Sequence, residues 1–163
     1  MKRTFCTFVL LLTFGVLLAQ SKADFTGGYA IDTSRTQFGE APKWVLPVRL
    51  KLVKEGNKIT MIRTIADEPG KESDRILAFG TDTTFEYSSP SGAKNTATLR
   101  WNADHSVMTL NQQSVTADGK PGAAFREVWS LADNGKTLVV DRHTEQANGL
   151  KYDIRAYYTR QSQ

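Results

Sequence analysis

Two charged residues are the strongest candidates for chemistry in this sequence, because each falls on an otherwise apolar face. Glu127 lies two residues from both Phe125 and Trp129, and Arg142 follows Val140 at the same spacing. In a β-strand, residues two apart point to the same side. A charge that points into a core must be paired or must meet water or a ligand. Glu127 and Arg142 are therefore predicted either to close the interior with an ion pair or to anchor a polar group of a ligand.

The turn signal at residues 133–135 predicts a hairpin that brings Glu127 and Arg142 opposite or diagonal to each other. Arg63, which follows Met61 at spacing two, is a third inner-face candidate with the same two interpretations. A pair of catalytic carboxylates is a further alternative, but it needs a second acid on the inner face, and the sequence offers none.

Other chemistry has little support in the residues. The two histidines, His105 and His143, are too few for a three-histidine zinc site. His105 falls in a turn and is expected to be solvated, whereas His143 lies beside Asp141 and Glu145, either as a weak metal or pH-sensing cluster or as a hydrated strand face. No nucleophile-elbow, metalloprotease or phosphate-loop motif occurs. We therefore predict no catalytic residue, no metal and no cofactor.

Turn signals rich in Gly, Asn, Asp and Pro recur at short intervals and separate segments rich in Val, Ile, Thr and aromatic residues. This pattern is typical of an antiparallel meander. The predicted strands span residues 25–31, 44–54, 58–66, 73–79, 83–89, 94–101, 107–116, 123–132, 137–146 and 150–160.

An open sheet of so many short strands would leave two edge strands with unpaired backbone groups, and closure of the sheet into a barrel removes these edges. We predict an all-β fold, an antiparallel up-and-down meander closed into a barrel of about 8–10 strands; a two-sheet sandwich is the alternative. One long connection, 32–43, is expected to contain a single helical turn beginning near Asp32. Trp44 is expected to share the inner face of the second strand with Leu50 and Leu52.

The aromatic residues of the inner faces would line the barrel, either filling it or leaving a cavity. If a cavity is present, its predicted ligand-binding residues are Tyr29, Phe125, Trp129 and Tyr152 as wall, with Arg63, Glu127 and Arg142 as polar anchors.

The N-terminus carries the features of an export signal. Lys2 and Arg3 precede an apolar run over 5–19, and Ser21-Lys22-Ala23 is a small-x-small cleavage site. The run is shorter than the roughly 20 residues of a membrane-spanning helix. We predict a signal peptide at residues 1–23, a single domain at 24–163 without a membrane span, and a periplasmic or secreted location.

Removal of residues 1–23 changes the charge balance. The full sequence has 21 lysine and arginine residues against 17 acidic residues, but Lys2, Arg3 and Lys22 would leave, so 18 basic residues would face 17 acidic ones. The signs alternate along the chain, which argues against a nucleic-acid surface. Cys6 would also leave, so the mature domain must be held together by burial without a disulfide.

The segment Asp24-Phe25-Thr26-Gly27-Gly28-Tyr29-Ala30-Ile31-Asp32 resembles the first-strand motif of lipocalin-like proteins of the calycin group, in which Gly-x-Trp occurs. Residues 129–138 and the ending Tyr157-Tyr158-Thr159-Arg160 resemble late strands of exported bacterial lipocalin-like proteins of unknown function. Tyr29 stands where the family has Trp, so Arg160 or Arg142 could pack over the Tyr29 ring instead.

The resemblance implies a barrel that binds a small, mostly apolar molecule without catalysis. Two alternatives remain at this point. The barrel could be a structural or interaction protein with a filled core, for a protein partner that the sequence does not identify. Less favoured is an enzyme that uses Glu127 as an acid or base.

Overall fold

The computed structural model describes residues 22–68, 71–89 and 92–162, and most of these residues lie in β-strands. Two short 3-10 helical turns, Lys43–Val45 and Asp133–Gly135, lie in connections. The ten strands are β1 (Gly27–Ile31), β2 (Arg49–Glu55), β3 (Lys58–Glu68), β4 (Lys71–Gly80), β5 (Thr84–Ser88), β6 (Lys94–Trp101), β7 (Met108–Val115), β8 (Pro121–Ala132), β9 (Thr137–Glu145) and β10 (Lys151–Arg160).

The strands form one antiparallel sheet in the order β4-β3-β2-β1-β10-β9-β8-β7-β6-β5. Because β1 pairs with both β2 and β10, the meander curls into a barrel, which confirms the predicted fold. No backbone ladder joins β4 to β5 in the described ranges. The rings of Phe79 and Phe85, one from each of these strands, stack at a centroid distance of 4.7 Å. The barrel is therefore nearly closed, with side-chain contact at the seam.

The alternation of the strands gives the barrel one inner face. We call the end with the 102–107 and 133–136 connections the floor, and the end with the 116–120 and 146–150 connections the mouth. Eight large side chains toward the floor are less than 2% exposed, so this half is a packed core. These residues are Tyr29, Met61, Leu99, Met108, Leu110, Trp129, Leu138 and Tyr158.

The hairpin between β8 and β9 has the turn that the sequence predicts. Asp133 and Asn134 adopt positive φ values of 52° and 55°, a conformation that Asn and Asp tolerate better than most residues. The Lys136 amide donates to the Asp133 carbonyl over 3.2 Å, and the Thr137 hydroxyl donates to the Asp133 carboxylate over 2.7 Å. This turn fixes the register of the strands that carry the charged candidates.

The second strand begins later than predicted. β2 starts at Arg49, and Trp44 lies outside the barrel in the 3-10 turn with 65% of its surface exposed. The flanking prolines explain the difference, because Pro42 and Pro47 lack the amide hydrogen that a strand ladder uses. The expectation that Trp44 shares the inner face with Leu50 is therefore wrong.

The beginning of the same connection is as predicted. The carboxylate of Asp32 accepts the Ser34 amide over 3.1 Å, and the Asp32 carbonyl accepts the Thr36 amide over 3.0 Å. This pattern is a single helical turn capped by Asp32.

The export prediction falls largely outside the described residues, since 1–21 are not among them, and it stays a prediction. Within 22–162, the described helices are all far too short to cross a membrane.

Candidate functional site

An ion pair connects β8 and β9 inside the barrel. Glu127 and Arg142 are direct cross-strand partners, and Nη1 of Arg142 lies 3.4 Å from Oε1 of Glu127. Glu127 is 2% exposed and the Arg142 side chain 10%. The sequence prediction that the hairpin brings these two charges together is confirmed.

Arg63 joins the pair from the other side of the barrel. Its Nη2 donates to Oε2 of Glu127 over 2.6 Å, although 64 residues separate the two in the chain. The Trp129 indole nitrogen donates to the same oxygen over 3.0 Å. Three residues, Arg63, Glu127 and Arg142, therefore form one buried cluster, which we call the charged triad.

The ring of Phe125 packs against both arginines of the charged triad. The guanidinium carbon of Arg142 lies 4.2 Å from the ring centroid, and that of Arg63 lies 5.9 Å away. Cation–π contacts of this kind hold a guanidinium plane in place without using its hydrogen-bond donors. Phe125 lies two residues before Glu127 on the same face of β8, and it thus covers the triad on its mouth side.

The charged triad has an excess of one positive charge. Burial is the main cause that lowers the pKa of Arg142, while the neighbouring Glu127 carboxylate opposes this effect. Nε of Arg142 donates to the Thr144 hydroxyl over 3.0 Å. Nη2 of Arg142 and Nη1 of Arg63 bind no hydrogen-bond acceptor within the described residues. The triad therefore keeps donors and positive charge available for a further acceptor.

The connection between β1 and β2 covers the triad. Nη1 of Arg142 donates to the Val45 carbonyl over 3.2 Å, and the Tyr158 hydroxyl donates to the Pro47 carbonyl over 3.2 Å. Leu46, between these two carbonyls, is 2% exposed. The segment 45–47 thus closes one side of the interior through bonds to inner side chains.

A polar network lies between the charged triad and the mouth, and the sequence analysis did not single it out. The Tyr87 hydroxyl is 2.5 Å from Oε1 of Gln112, whose Nε2 donates to Oδ1 of Asn95 over 3.2 Å. Gln112 continues the inner alternation of Met108 and Leu110, so the spacing of β7 could have identified it.

A third arginine lies on the mouth side. Arg75 is the cross-strand partner of Arg63 on β4. Burial raises the pKa of Tyr87, whereas the charges of Arg63 and Arg75 act in the opposite direction. On its β3 to β7 side, the mouth half of the interior is therefore polar and carries more positive than negative charge among its described side chains. Phe125 and Tyr152 line the β8 to β10 side.

Two predicted wall residues, Tyr29 and Trp129, are both packed at 1% exposure. Tyr29 lies at the floor, where Arg160 packs over its ring at 5.1 Å and donates to its hydroxyl over 2.7 Å. Ile154 on β10 is the cross-strand partner of Arg142. Arg160 lies six residues further along β10, which places it about 20 Å from Ile154. Of the two suggested partners for Tyr29, the structure has Arg160.

Tyr152, the remaining predicted wall residue, is 6% exposed and lies on the mouth side of Ile154. Its cross-strand partner is Thr144, whose hydroxyl accepts from Nε of Arg142, so Tyr152 lies beside the triad. The structure therefore brings together six of the seven predicted site residues, including Trp129 through its hydrogen bond to Glu127, and it places Tyr29 elsewhere.

The histidines do not form the clusters considered from the sequence. Nδ1 of His143 lies 2.7 Å from the carboxylate of Asp153, a neighbour on β10. Asp141 instead pairs with Arg155, since Nε to Oδ1 is 3.1 Å. The described residues contain no group of three or more metal-ligating side chains. His105 lies in a turn, as predicted, and is half-buried, with its ring 5.7 Å from that of Trp101.

No family model matches the chain, and no curated protein matches it. Solved structures do match. A structure titled "REP1-NXSQ fatty acid transporter" has a TM-score of 0.59 at 10% identity, over 86% of this chain and 98% of that one. The fatty-acid-binding protein 1 of Echinococcus granulosus has a TM-score of 0.56 at 12% identity, over 85% and 98%.

A Schistosoma mansoni fatty-acid-binding protein in complex with arachidonic acid has a TM-score of 0.56 at 14% identity, over 85% of this chain and 96% of that one. The chain shares the antiparallel ten-stranded barrel fold of these structures. At these identities the likeness concerns the fold alone.

Proposed function

We propose that this chain is an exported barrel that binds a small amphipathic molecule, with an acidic group at the charged triad and a mostly apolar body toward the mouth. The observation that carries the proposal is the excess of arginine over carboxylate in the triad, with donors of Arg63 and Arg142 left without an acceptor among the described residues. An incoming carboxylate would accept from these donors and neutralise the excess charge.

The filled floor restricts the size of the ligand. Leu110 and Met61 are at most 1% exposed, whereas Phe125 and Tyr87 on the mouth side are half-buried. The apolar body is therefore proposed to lie along Phe125 and Tyr152, and a short chain or ring suits this space better than a long chain. The names of the solved neighbours, fatty-acid-binding proteins and a fatty acid transporter, support an apolar ligand with an acidic group.

The proposal includes export with cleavage after Ala23, and it excludes catalysis. Glu127 accepts hydrogen bonds from Arg63, Arg142 and Trp129, so its oxygens already have partners. That arrangement favours a positioning role for Glu127 over an acid or base that exchanges protons with a substrate.

A displacement assay with a fluorescent fatty acid tests the proposal. Decanoic acid and decanol share one apolar chain but differ in charge, so they separate the contribution of the headgroup. We expect the acid to displace the probe at a concentration about tenfold lower than the alcohol, because a charged hydrogen bond contributes about 1.5–3 kcal/mol.

Arg142→Met is the test variant and Arg126→Met its matched control. Arg126 precedes Glu127 on β8 but lies on the outer face and is exposed. The acid should lose about tenfold in affinity in Arg142→Met and nothing in Arg126→Met. Circular dichroism of both variants establishes that they are folded. Equal binding of acid and alcohol to the unmodified protein would contradict the proposed headgroup site.

The packed floor also favours a second candidate, a structural barrel without a ligand. In that case no acid from a panel of short and aromatic carboxylates would displace the probe or raise the melting temperature. Saturable binding of any of them at the triad removes this alternative.

A further inference from the structure

A separate pocket lies at the floor end of the barrel, between the packed core and the segment that precedes β1, away from the charged triad. Its volume is about 150 Å³, and its walls come from β2, β3, β6, β7 and the segment before β1. The lining residues used in the argument are Phe25, Leu52, Ile59, Trp101 and Met108. We call this cavity the floor pocket.

Most of the wall of the floor pocket is apolar and partly aromatic, and Asp24, Thr26 and Lys54 add polar groups to it. Leu52, Ile59 and Met108 are buried at 3%, 5% and 1% exposure. The rings of Phe25 and Trp101 lie 5.5 Å apart in a tilted arrangement. At this distance the two rings pack directly on each other, so they form one aromatic wall against which a ring-shaped guest can stack.

The segment that covers the floor pocket is held by specific bonds. Nη2 of Arg160 donates to the carbonyl of Asp24, the first residue after the proposed cleavage site, over 2.7 Å. The carboxylate of Asp24 accepts the Thr26 amide over 3.0 Å. The segment from Asp24 to Thr26 therefore bounds one side of the pocket, which remains partly open to solvent.

We propose that the floor pocket is a binding site for a small aromatic hydrocarbon group, about the size of a benzene ring. A cavity of about 150 Å³ lined by aliphatic and aromatic side chains is large enough for benzene, and the floor pocket has this volume and a mainly apolar wall. Binding there uses no residue of the charged triad, so this inference is independent of the proposed function.

The methionines provide separate reporters for the two sites. Met108 lines the floor pocket, whereas the sulfur of Met61 lies 3.2 Å from Nε of Arg63. Met1 is the remaining methionine, and it would leave with the predicted signal. In protein labelled with ¹³C at the methionine methyls, titration with benzene should shift the Met108 resonance saturably and leave Met61 in place. Decanoic acid, under the proposed function, should do the reverse.

Two variants of Ile59 test the assignment in opposite directions. Ile59→Phe fills the pocket, and we expect benzene affinity to fall by about tenfold or more. Ile59→Val enlarges the pocket by one methylene, and we expect affinity for toluene to rise relative to benzene. The valine variant removes little volume, so it keeps the test usable if the phenylalanine variant does not fold.

Phe125→Leu is the control at the other end, since Phe125 packs on the triad and does not line the floor pocket. It should leave the benzene titration of Met108 unchanged. A Met108 resonance that stays fixed up to the solubility limit of benzene overturns the inference. Unchanged benzene affinity in a folded Ile59→Phe protein overturns it as well.

Discussion

The floor and the mouth of this barrel are built from the same strands but differ in the inner side chains that those strands carry. Along β7, Leu110 faces a packed apolar core, while Gln112, two residues later, bonds to Tyr87 and Asn95. The same change occurs on β3 between Met61 and Arg63. A strand in such a barrel can therefore contribute to stability at one end and to recognition at the other.

The charged triad lies where the two halves meet, and its disruption should have the largest effect. In Glu127→Leu, two buried arginines lose their common carboxylate, and we expect the free energy of unfolding to fall by about 3–5 kcal/mol. Urea unfolding followed by circular dichroism measures the change.

Joint replacement of the triad is the control for this prediction. In the triple variant Arg63→Met, Glu127→Leu and Arg142→Met, no unpaired charge remains, and stability should return close to that of the unmodified protein. The triple variant should also bind no acidic ligand. A Glu127→Leu protein as stable as the parent would show that the arginines are already compensated by water or other groups.

A comparison within β7 should separate packing from polarity. Leu110→Ala is expected to cost about 2–5 kcal/mol, because Leu110 is 1% exposed and leaves a cavity in the floor. Gln112→Ala should cost about 1 kcal/mol, the typical net contribution of a hydrogen-bonded group that water can reach. If urea unfolding showed that both substitutions lower the free energy of unfolding equally, the division into a packed apolar floor and a hydrated polar mouth would be contradicted.

The fold could be predicted from the sequence because the patterns that specify its strands and turns are local and repeated. Alternation with a period of two, interrupted by turn residues, sets each strand, and the Asp133-Asn134-Gly135 turn sets the register of Glu127 and Arg142. Trp44 was misplaced because alternation of apolar residues continues through a segment in which prolines prevent pairing.

Only part of the site could be predicted from the sequence, because its remaining contacts join strands that are distant in the chain. The bond of Arg63 to Glu127 crosses the barrel, and the bond of Arg142 to the Val45 carbonyl depends on the path of a loop. Neither has a signature in local spacing. Tyr29 was assigned to the wall because the sequence shows which face a residue takes but not its height along the barrel axis.

Alkaline pH should reveal the smallest difference between floor and mouth. Burial raises the pKa of Tyr158 far above its usual value and also raises the pKa of Tyr87. A tyrosine that stays neutral in the folded state stabilises the fold below the unfolded pKa of about 10, and this contribution is lost as pH rises above that value. Stability should therefore be level up to about pH 10 and then decline.

Replacement of single tyrosines assigns that decline to one half of the barrel. For one fully buried tyrosine the slope is at most about 1.4 kcal/mol per pH unit. Because Tyr158 is 1% exposed and Tyr87 is half-buried, Tyr158→Phe should reduce the slope more than Tyr87→Phe in urea unfolding at pH 10 to 11. An equal reduction by both variants would mean that water reaches the two halves alike, and the distinction between floor and mouth would then rest on side-chain type rather than on burial.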